Sequence, residues 1–536
     1  MRFSLILFFF TFFCLAEGTS QEQFQMTFSN QTETQGISVS YSVNGGYIVL
    51  SAARDTSASS IGLQKLNNTF SPERTVSLTT SDSAIFPVTS IENADGSIIV
   101  AAAAYNSNQT SILLMKMDSS GAGIWGKKYN RTNHEEPKSI LTLPDGSFYL
   151  CGKGSYNTSS TQKDILLSRF SEDGQEQWTQ LIGGTHDDDP SMIIRTSDDQ
   201  LAIAGTSNSF SNGNNFFLCK LDTSGNYYWF ITYILGLSDT CRSFIQTNDG
   251  GYLLVGTGGS NGQDIFIIKT DANGYLQFAR TYNLGFSSNS LLDDGYKILS
   301  TSDGGIAIAG TTHLTTNQET FLFLIKLSQN LVTEWFSSYG FQLTNYLTGI
   351  LQTQDNGYLM VGSRKNSSTN HFDGLLIKTD SAGISTCHET SLTKTDAVVN
   401  PLQFSAAPSA ISVTFNVQSD SILQLSNVFQ MDTACYIMTG LRDNAFVPES
   451  EISVNPNPFQ DHLDFHLPIH NVDQTQFRWT IYDTTGKICL TGTLPPDASG
   501  NSGHIKTHAL KAGIYFLSIT SPQTDIQLNK KIIRID

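Results

Sequence analysis

Between residues 44 and 362 the chain consists of short alternating or wholly apolar runs cut by turn residues, and one of the cuts recurs. Its copies begin at Asn44 (NGGYIVLS), Asp95 (DGSIIVAA), Asp145 (DGSFYLCG), Asp198 (DDQLAIAG), Asp249 (DGGYLLVG), Asp303 (DGGIAIAG) and Asp355 (DNGYLMVG). A second marker keeps the same beat: an apolar run ends in a basic residue at Lys65, Lys116, Arg169, Lys220, Lys269, Lys326 and Lys378. A period of about 50 residues indicates a repeat array. Each repeat holds four runs, for example 177–182, 192–196, 201–205 and 216–221. Residues of helical period are hard to find, so the pattern predicts an all-β protein. Four antiparallel strands per repeat, seven times over, predict a seven-bladed β-propeller across residues 22–386. In that reading residues 23–28 form the first strand of the first blade and 375–379 the last strand of the seventh. A β-solenoid would need shorter coils without a hairpin at both ends of each run.

The punctuation has a physical basis. Asp-Gly and Asn-Gly between apolar runs supply positive-φ positions without steric cost, which predicts tight two-residue hairpins. The Asp-x-x-Gly turns at Asp118, Asp222, Asp271 and Asp380 do the same with a longer loop. The aromatic after each, Trp125, Trp178, Trp229, Phe278 and Trp335, falls at a fixed place on the strand read as first in a blade, where packing between blades is expected. Both tight turns belong to one face. The other carries longer Ser/Thr/Asn-rich loops at 106–110, 155–161, 207–215, 258–263 and 366–370, and function concentrates in such loops. Glu136, Asp189, Asp239 and Asp294 lie nine or ten residues before a turn Asp. They are candidates for part of an acidic ring on that face, binding a cation or basic ligand, or else acids that end loops.

An excess of 48 acidic over 31 basic residues gives a net charge of −17, which argues against nucleic acid or anionic membrane as partner. Met1-Arg2-Phe3, the apolar run 4–15 and Ala16-Glu17-Gly18 have the zones of a secretory signal peptide, predicted as residues 1–18. No transmembrane segment is expected in the mature protein. Export places the chain in an oxidising compartment, so Cys387 and Cys435, which bracket a segment beyond the last repeat, are predicted to form a disulfide. Cys151, Cys219, Cys241 and Cys489 read as core residues. No nucleophile elbow, metalloprotease helix, Cys-x-x-Cys pair or phosphate loop is present. No cofactor is implied, apart from a possible Ca2+ contribution from Asp187-Asp188-Asp189, which lacks the spaced ligands of a dedicated loop. His462, Asp464 and His466 share one face of a strand and read as its wet face.

Asp222-x-x-Gly225-x-x-x-Trp229, with copies at Asp118 to Trp125 and Asp271 to Phe278, resembles the tryptophan-docking turn of quinoprotein-like propellers. The Asp-Gly-Gly-Tyr hairpin with Asp264-Ile-Phe-Ile-Ile-Lys269 resembles repeats of secreted bacterial propellers of unknown activity. Quinone-dependent members add a vicinal cysteine pair, and no two cysteines are adjacent here. Sialidase-type propellers carry Ser-x-Asp-x-Gly-x-x-Trp boxes, against which Ser171-Glu172-Asp173-Gly174 has the wrong spacing.

Residues 387–447 read as a small β-rich connecting segment docked on the last blade. Residues 452–536 contain Val454-Asn455-Pro456-Asn457-Pro458-Phe459, Leu463-Asp-Phe465-His-Leu467, Ile481-Tyr482-Asp483-Thr484-Thr485-Gly486-Lys487, Gly513-Ile514-Tyr515-Phe516 and Asn529-Lys530-Lys531. That order resembles the type A C-terminal sorting domain of the type IX secretion system, an Ig-like β-sandwich. The resemblance implies recognition by the type IX machinery, cleavage by its sortase near 443–451, and a product secreted or anchored at the outer-membrane surface. It makes Asn455, Pro456, Asn457, Pro458, Gly486, Gly513 and Tyr515 sorting-signal residues. The expectation for the exported part is a binding or scaffold propeller with a glycan or protein ligand and no enzymatic activity. The alternative is a secreted propeller enzyme, glycoside hydrolase or quinoprotein-like.

Overall fold

The computed structural model describes residues 22–534 except for connecting stretches, the longest being 285–291, 386–393, 439–452, 467–477 and 494–501. The signal-peptide reading and Cys387 lie outside the described residues, as does the side chain of Cys435, so the predicted disulfide falls outside them too. Cys151, Cys219 and Cys241 are buried free thiols, and Cys489 is a half-buried one. All described regular structure is β, in two compact units, 21–437 and 438–536.

The first unit contains seven antiparallel sheets in chain order. Sheet 1 is built from Glu33–Tyr41, Tyr47–Arg54, Ser59–Leu66 and Pro72–Thr79, and sheets 2 to 6 repeat the plan down to Thr333–Tyr339. Sheet 7 takes Asn345–Gln352, Tyr358–Lys365 and Phe372–Thr379, and its fourth strand is Glu22–Ser29 from the other end of the unit. The strand grouping read from sequence is therefore displaced by one. Each tryptophan-bearing strand is the fourth of the preceding sheet, not the first of the next: Trp229 pairs with Lys220, and Trp178 with Arg169. Hairpin pairing through the Asp-x-x-Gly turn is short-range and wins over the longer connection that follows.

Seven apolar clusters hold the sheets together, each between consecutive sheets. Leu50, Leu63 and Val76 meet Val100 and Leu113 between sheets 1 and 2. The seventh cluster joins Phe24, Phe28 and Val361 of sheet 7 to Tyr47, Val49 and Phe70 of sheet 1.

In four of the repeats the two sequence markers are one device, while Lys65 and Lys116 reach Glu92 and Glu172 instead. The third-strand lysine has a buried stem and reaches the Asp of the hairpin beside it: Lys269 to Asp249 at 2.8 Å, Lys220 to Asp198 at 2.6 Å, Lys326 to Asp303 at 2.9 Å and Lys378 to Asp355 at 2.7 Å. The Thr301 hydroxyl and the Lys326 ammonium hold the Asp303 carboxyl down to about 2. The hairpins are three-residue loops, not two-residue ones: Gly250 N–H donates to Thr247 O and Thr247 N–H to Gly251 O, with Gly250 left-handed at φ 81°. The Asp-x-x-Gly turns have the same form, Gly225 N–H donating to Asp222 O. A type I turn closed by a left-handed residue matches strand twist as well as the shorter loop does.

The connecting segment does more than dock on one sheet. Its strands add a fifth, outermost member to six sheets in reverse chain order: Lys394–Val399 on sheet 5, Leu402–Ala406 on sheet 4, Ser409–Val413 on sheet 3, Asn416–Ser419 on sheet 2, Leu423–Leu425 on sheet 1 and Gln430–Met438 on sheet 7. An unpaired fourth strand is an open hydrogen-bonding edge, and this strap covers it.

The second unit has a three-stranded sheet (Ser453–Asn455, His462–His466, Ser502–Lys506) and a four-stranded one (Arg478–Asp483, Ile488–Thr493, Gly513–Thr520, Gln527–Arg534). Leu463, Phe465 and Ile505 of the first sheet and Ile481, Leu517, Ile519 and Ile532 of the second share one core.

Candidate functional site

The first strand of every sheet is broken by a bulge near its start, at Gly36/Ser38, Pro87/Thr89, Pro137/Ser139, Pro190/Met192, Cys241/Ser243, Gly295/Lys297 and Leu347/Gly349. A bulge re-aims side chains on its strand. The extra residue reaches the neighbouring first strand: Lys138 Nζ lies 3.3 Å from Asp189, Ser191 Oγ donates to Cys241 O at 2.6 Å, and Thr348 Oγ1 donates to Gly36 O at 2.9 Å. The last of these links sheet 7 to sheet 1. The glycine that ends the Asp-Gly-Gly-Tyr motif faces the bulge: a Cβ on Gly256 would stand 1.9 Å from Thr240 O.

The four acids named from sequence occupy two levels. Glu136, Asp189 and Asp294 stand one residue before the bulge pair, with Gln35, Phe86, Thr240 and Tyr346 as their counterparts. Asp239 stands one residue earlier, level with Glu135, Asp188, Asp293 and Asn345. The upper set is half-buried and already paired. Glu136 meets Lys163 at 2.9 Å and Lys153 at 3.3 Å, Asp189 meets Lys138 and Lys153 at 3.3 Å each, and Asp294 takes a two-toothed contact from Arg242 at 2.9 and 3.2 Å. The Thr257 hydroxyl also donates to Asp294. These cations, which the sequence reading did not single out, turn the acidic ring into a mixed-charge mosaic.

The deeper set closes loops. Asp239 accepts the Gly236 N–H at 2.9 Å, Asp188 the Gly184 N–H at 2.8 Å, Glu135 the Thr132 N–H at 2.8 Å and Asp293 the Leu284 N–H at 2.7 Å. All four carboxylic residues are fully buried. Burial pushes Asp293 up to about 7. Asp187 accepts the Lys163 N–H at 2.9 Å, while Asp188 is buried and Asp189 is ion-paired, so the Asp187–Asp189 run is divided among three environments.

One acid pair had no sequence signal. The carboxylates of Asp164 and Asp188 flank Gly183, where a Cβ would stand 2.4 Å from one and 2.8 Å from the other. Burial raises Asp164 to about 6, with Asp188 adding in the same direction. The two residues are 24 positions apart in sequence and on different sheets, which is why periodicity does not reveal them. On the same face, Glu33, Gln35, Arg54, Ser59, Ile85, Phe86 and Tyr105 line a cleft of about 480 Å³ between sheets 1 and 2.

In the second unit Asn455 ends the opening strand, Pro456 follows it, and Gly513 begins the strand carrying Tyr515. The Tyr515 ring is buried, and its hydroxyl donates to Lys511 O at 2.9 Å and accepts the Lys511 N–H at 3.2 Å. Asn457, Pro458 and Gly486 lie outside the described residues. His462 and Asp464 are exposed, with His504 Nδ1 2.6 Å from Asp464; among the described residues no three metal-ligating groups converge.

Residues 453–535 match the family described as the secretion system C-terminal sorting domain. The tail of this chain is thus a type IX secretion sorting domain, and its destination is outside the cell, secreted or attached at the outer-membrane surface. The whole chain is similar to PorZ, a bacterial surface component of the type IX secretion system of Porphyromonas gingivalis, at 12% identity. That match covers 93% of this chain and 59% of PorZ with a TM-score of 0.37. The NanB sialidase of Streptococcus pneumoniae aligns over 67% of this chain and 70% of its own at 11% identity and a TM-score of 0.38. Scores this low carry neither activity nor architecture across. The regulatory protein FlaEY of Caulobacter vibrioides is 25% identical over 139 residues, 22% of this chain and 15% of that protein. The chain thus spans less than two thirds of PorZ and under a sixth of FlaEY.

Proposed function

We propose that the repeat unit is a seven-bladed β-propeller, closed by the N-terminal strand, and that the type IX machinery exports it to act as a binding module rather than a catalyst. The apolar interface between sheets 7 and 1 and the Thr348–Gly36 hydrogen bond support closure. The observation that carries binding is the state of the long-loop face. The acids of the two levels described above are each held by a lysine, an arginine or a loop N–H, which makes a pre-paired charged surface on the face that carries the cleft. A pre-formed cleft of this size suits a sugar or a short peptide segment. Purified mature protein is expected to bind such a ligand saturably, on a glycan array or by calorimetry against surface proteins, with affinity lost in Arg54→Ala and Gln35→Ala.

A second reading rests on Asp164. A carboxyl titrating near 6 beside a second carboxylate is equipped to donate a proton. Turnover of any chromogenic glycoside, abolished by Asp164→Asn and untouched by Arg54→Ala, would replace the binding reading with a hydrolase.

A further inference from the structure

The residues just after the seven bulges form a level of their own: Ser38, Thr89, Ser139, Met192, Ser243, Lys297 and Gly349. Neighbours on this level touch. Ser243 Oγ lies 3.9 Å from Met192 Sδ, Ser139 Oγ lies 3.5 Å from the Ile193 N–H, and a Cβ on Gly349 would stand 3.4 Å from Ser38 Cα. With the cycle of sheets closed, as the preceding reading has it, the level lines the axis of the unit. Six members are small or neutral. The seventh is a lysine.

Lys297 differs from the other first-strand lysine named above, Lys138, which faces Asp189, and from lysines of the second and third strands. Lys116, Lys153, Lys163, Lys220, Lys269, Lys326 and Lys378 each face a carboxylate. Lys297 has no hydrogen bond or ion pair among the described residues, and its ammonium stands 5.6 Å from the Tyr296 ring centroid. The Arg242 guanidinium lies 5.7 Å from that ring, and its charge is taken up by Asp294. The groups around Tyr296 thus carry one positive charge in excess. Lys297 is half-buried, and an ammonium partly withdrawn from water without a partner is costly, so a small anion would offset part of that cost.

We infer that Lys297 and the hydroxyls level with it form a binding site for one small anion in the axial space. Lys297 supplies the charge, and Ser38, Thr89, Ser139 and Ser243 supply hydroxyl donors. Chloride, acetate and phosphate share this chemistry and differ in size.

The full mature protein is to be melted in gluconate buffer of constant ionic strength with chloride, acetate or phosphate added separately. The Lys297→Met variant serves as the partner; methionine already occupies the equivalent place at Met192. The expected result is a saturating rise in Tm of a few degrees with at least one anion in the parent and none in the variant. In gluconate alone the variant should melt at or above the parent. Equal shifts in both proteins, or none in either, would overturn the site, and the anion that saturates at lowest concentration identifies its size. Intact cleft binding in the variant would leave the proposed function standing, so the two readings fail separately.

Discussion

The tryptophans of the outer strands and the glycines of the next sheet's turns are complementary, and the chain carries its own control. Trp229 lies on sheet 4, and a Cβ on Gly274 in sheet 5 would stand 2.8 Å from its Cζ3. The same clearance is 2.8 Å for Gly174 over Trp125 and 2.3 Å for Gly383 over Trp335. Where the outer-strand residue is phenylalanine the turn residue is large: Phe278 precedes Leu331, and Phe24 meets Phe70 with ring centroids 5.2 Å apart. Leu331 holds φ 60° and Phe70 φ 56°, so the turn admits a side chain when the ring gives way. Gly274→Leu in the wild-type background therefore adds a left-handed strain of about 1–2 kcal/mol to an overpacking cost of about 1–3 kcal/mol. Trp229→Phe alone leaves part of a ring's volume empty, at about 1–2 kcal/mol. Together the two changes recreate the Phe278–Leu331 pair. The double variant should be more stable than Gly274→Leu alone, with a coupling of about 1–3 kcal/mol. Urea unfolding followed by far-ultraviolet dichroism reads the cycle. Additivity within about 0.5 kcal/mol would refute the docking argument.

Asp293 has a folded-state pKa raised to about 7 by burial, so its contribution to stability is greatest below the unfolded value near 4 and is lost as pH rises through 7. Asp293→Asn keeps an acceptor for the Leu284 N–H, and Asn345 already stands at the equivalent place; the variant should gain Tm relative to wild type at pH 8 and little at pH 5. Removing residues 453–536 should leave the protein inside the envelope, as cell fractionation would read; normal export of the truncated chain would contradict the sorting assignment. Ending the chain at Ser385 uncovers six outer strands, and light scattering should then show concentration-dependent association that the full chain lacks.

Much of this protein is legible in the order of its residues because its contacts repeat. Local hydrogen bonding makes each hairpin, so Asp-Gly and Asp-x-x-Gly state the number of sheets, their antiparallel sense and the face that carries long loops. The sorting tail is equally local, a run of small motifs in fixed order. What the tertiary structure decided is everything that depends on strands far apart in sequence. The grouping of strands is one case, since Glu22–Ser29 could be assigned to sheet 7 only once its partner, more than 340 residues away, was in place. The strap is another, because alternating runs such as 411–417 say that a strand exists and not which edge it covers. The site shows the same division. Single-residue spacing picked out Glu136, Asp189, Asp239 and Asp294, but a difference of one position relative to a bulge separates a paired surface acid from a buried loop cap. The contacts of Lys138 with Asp189 and of Arg242 with Asp294, and the Asp164–Asp188 pair, are products of neighbouring sheets meeting. Lys153 and Lys163 reach Glu136 across strands of its own sheet, and no pattern along one strand encodes either kind of contact.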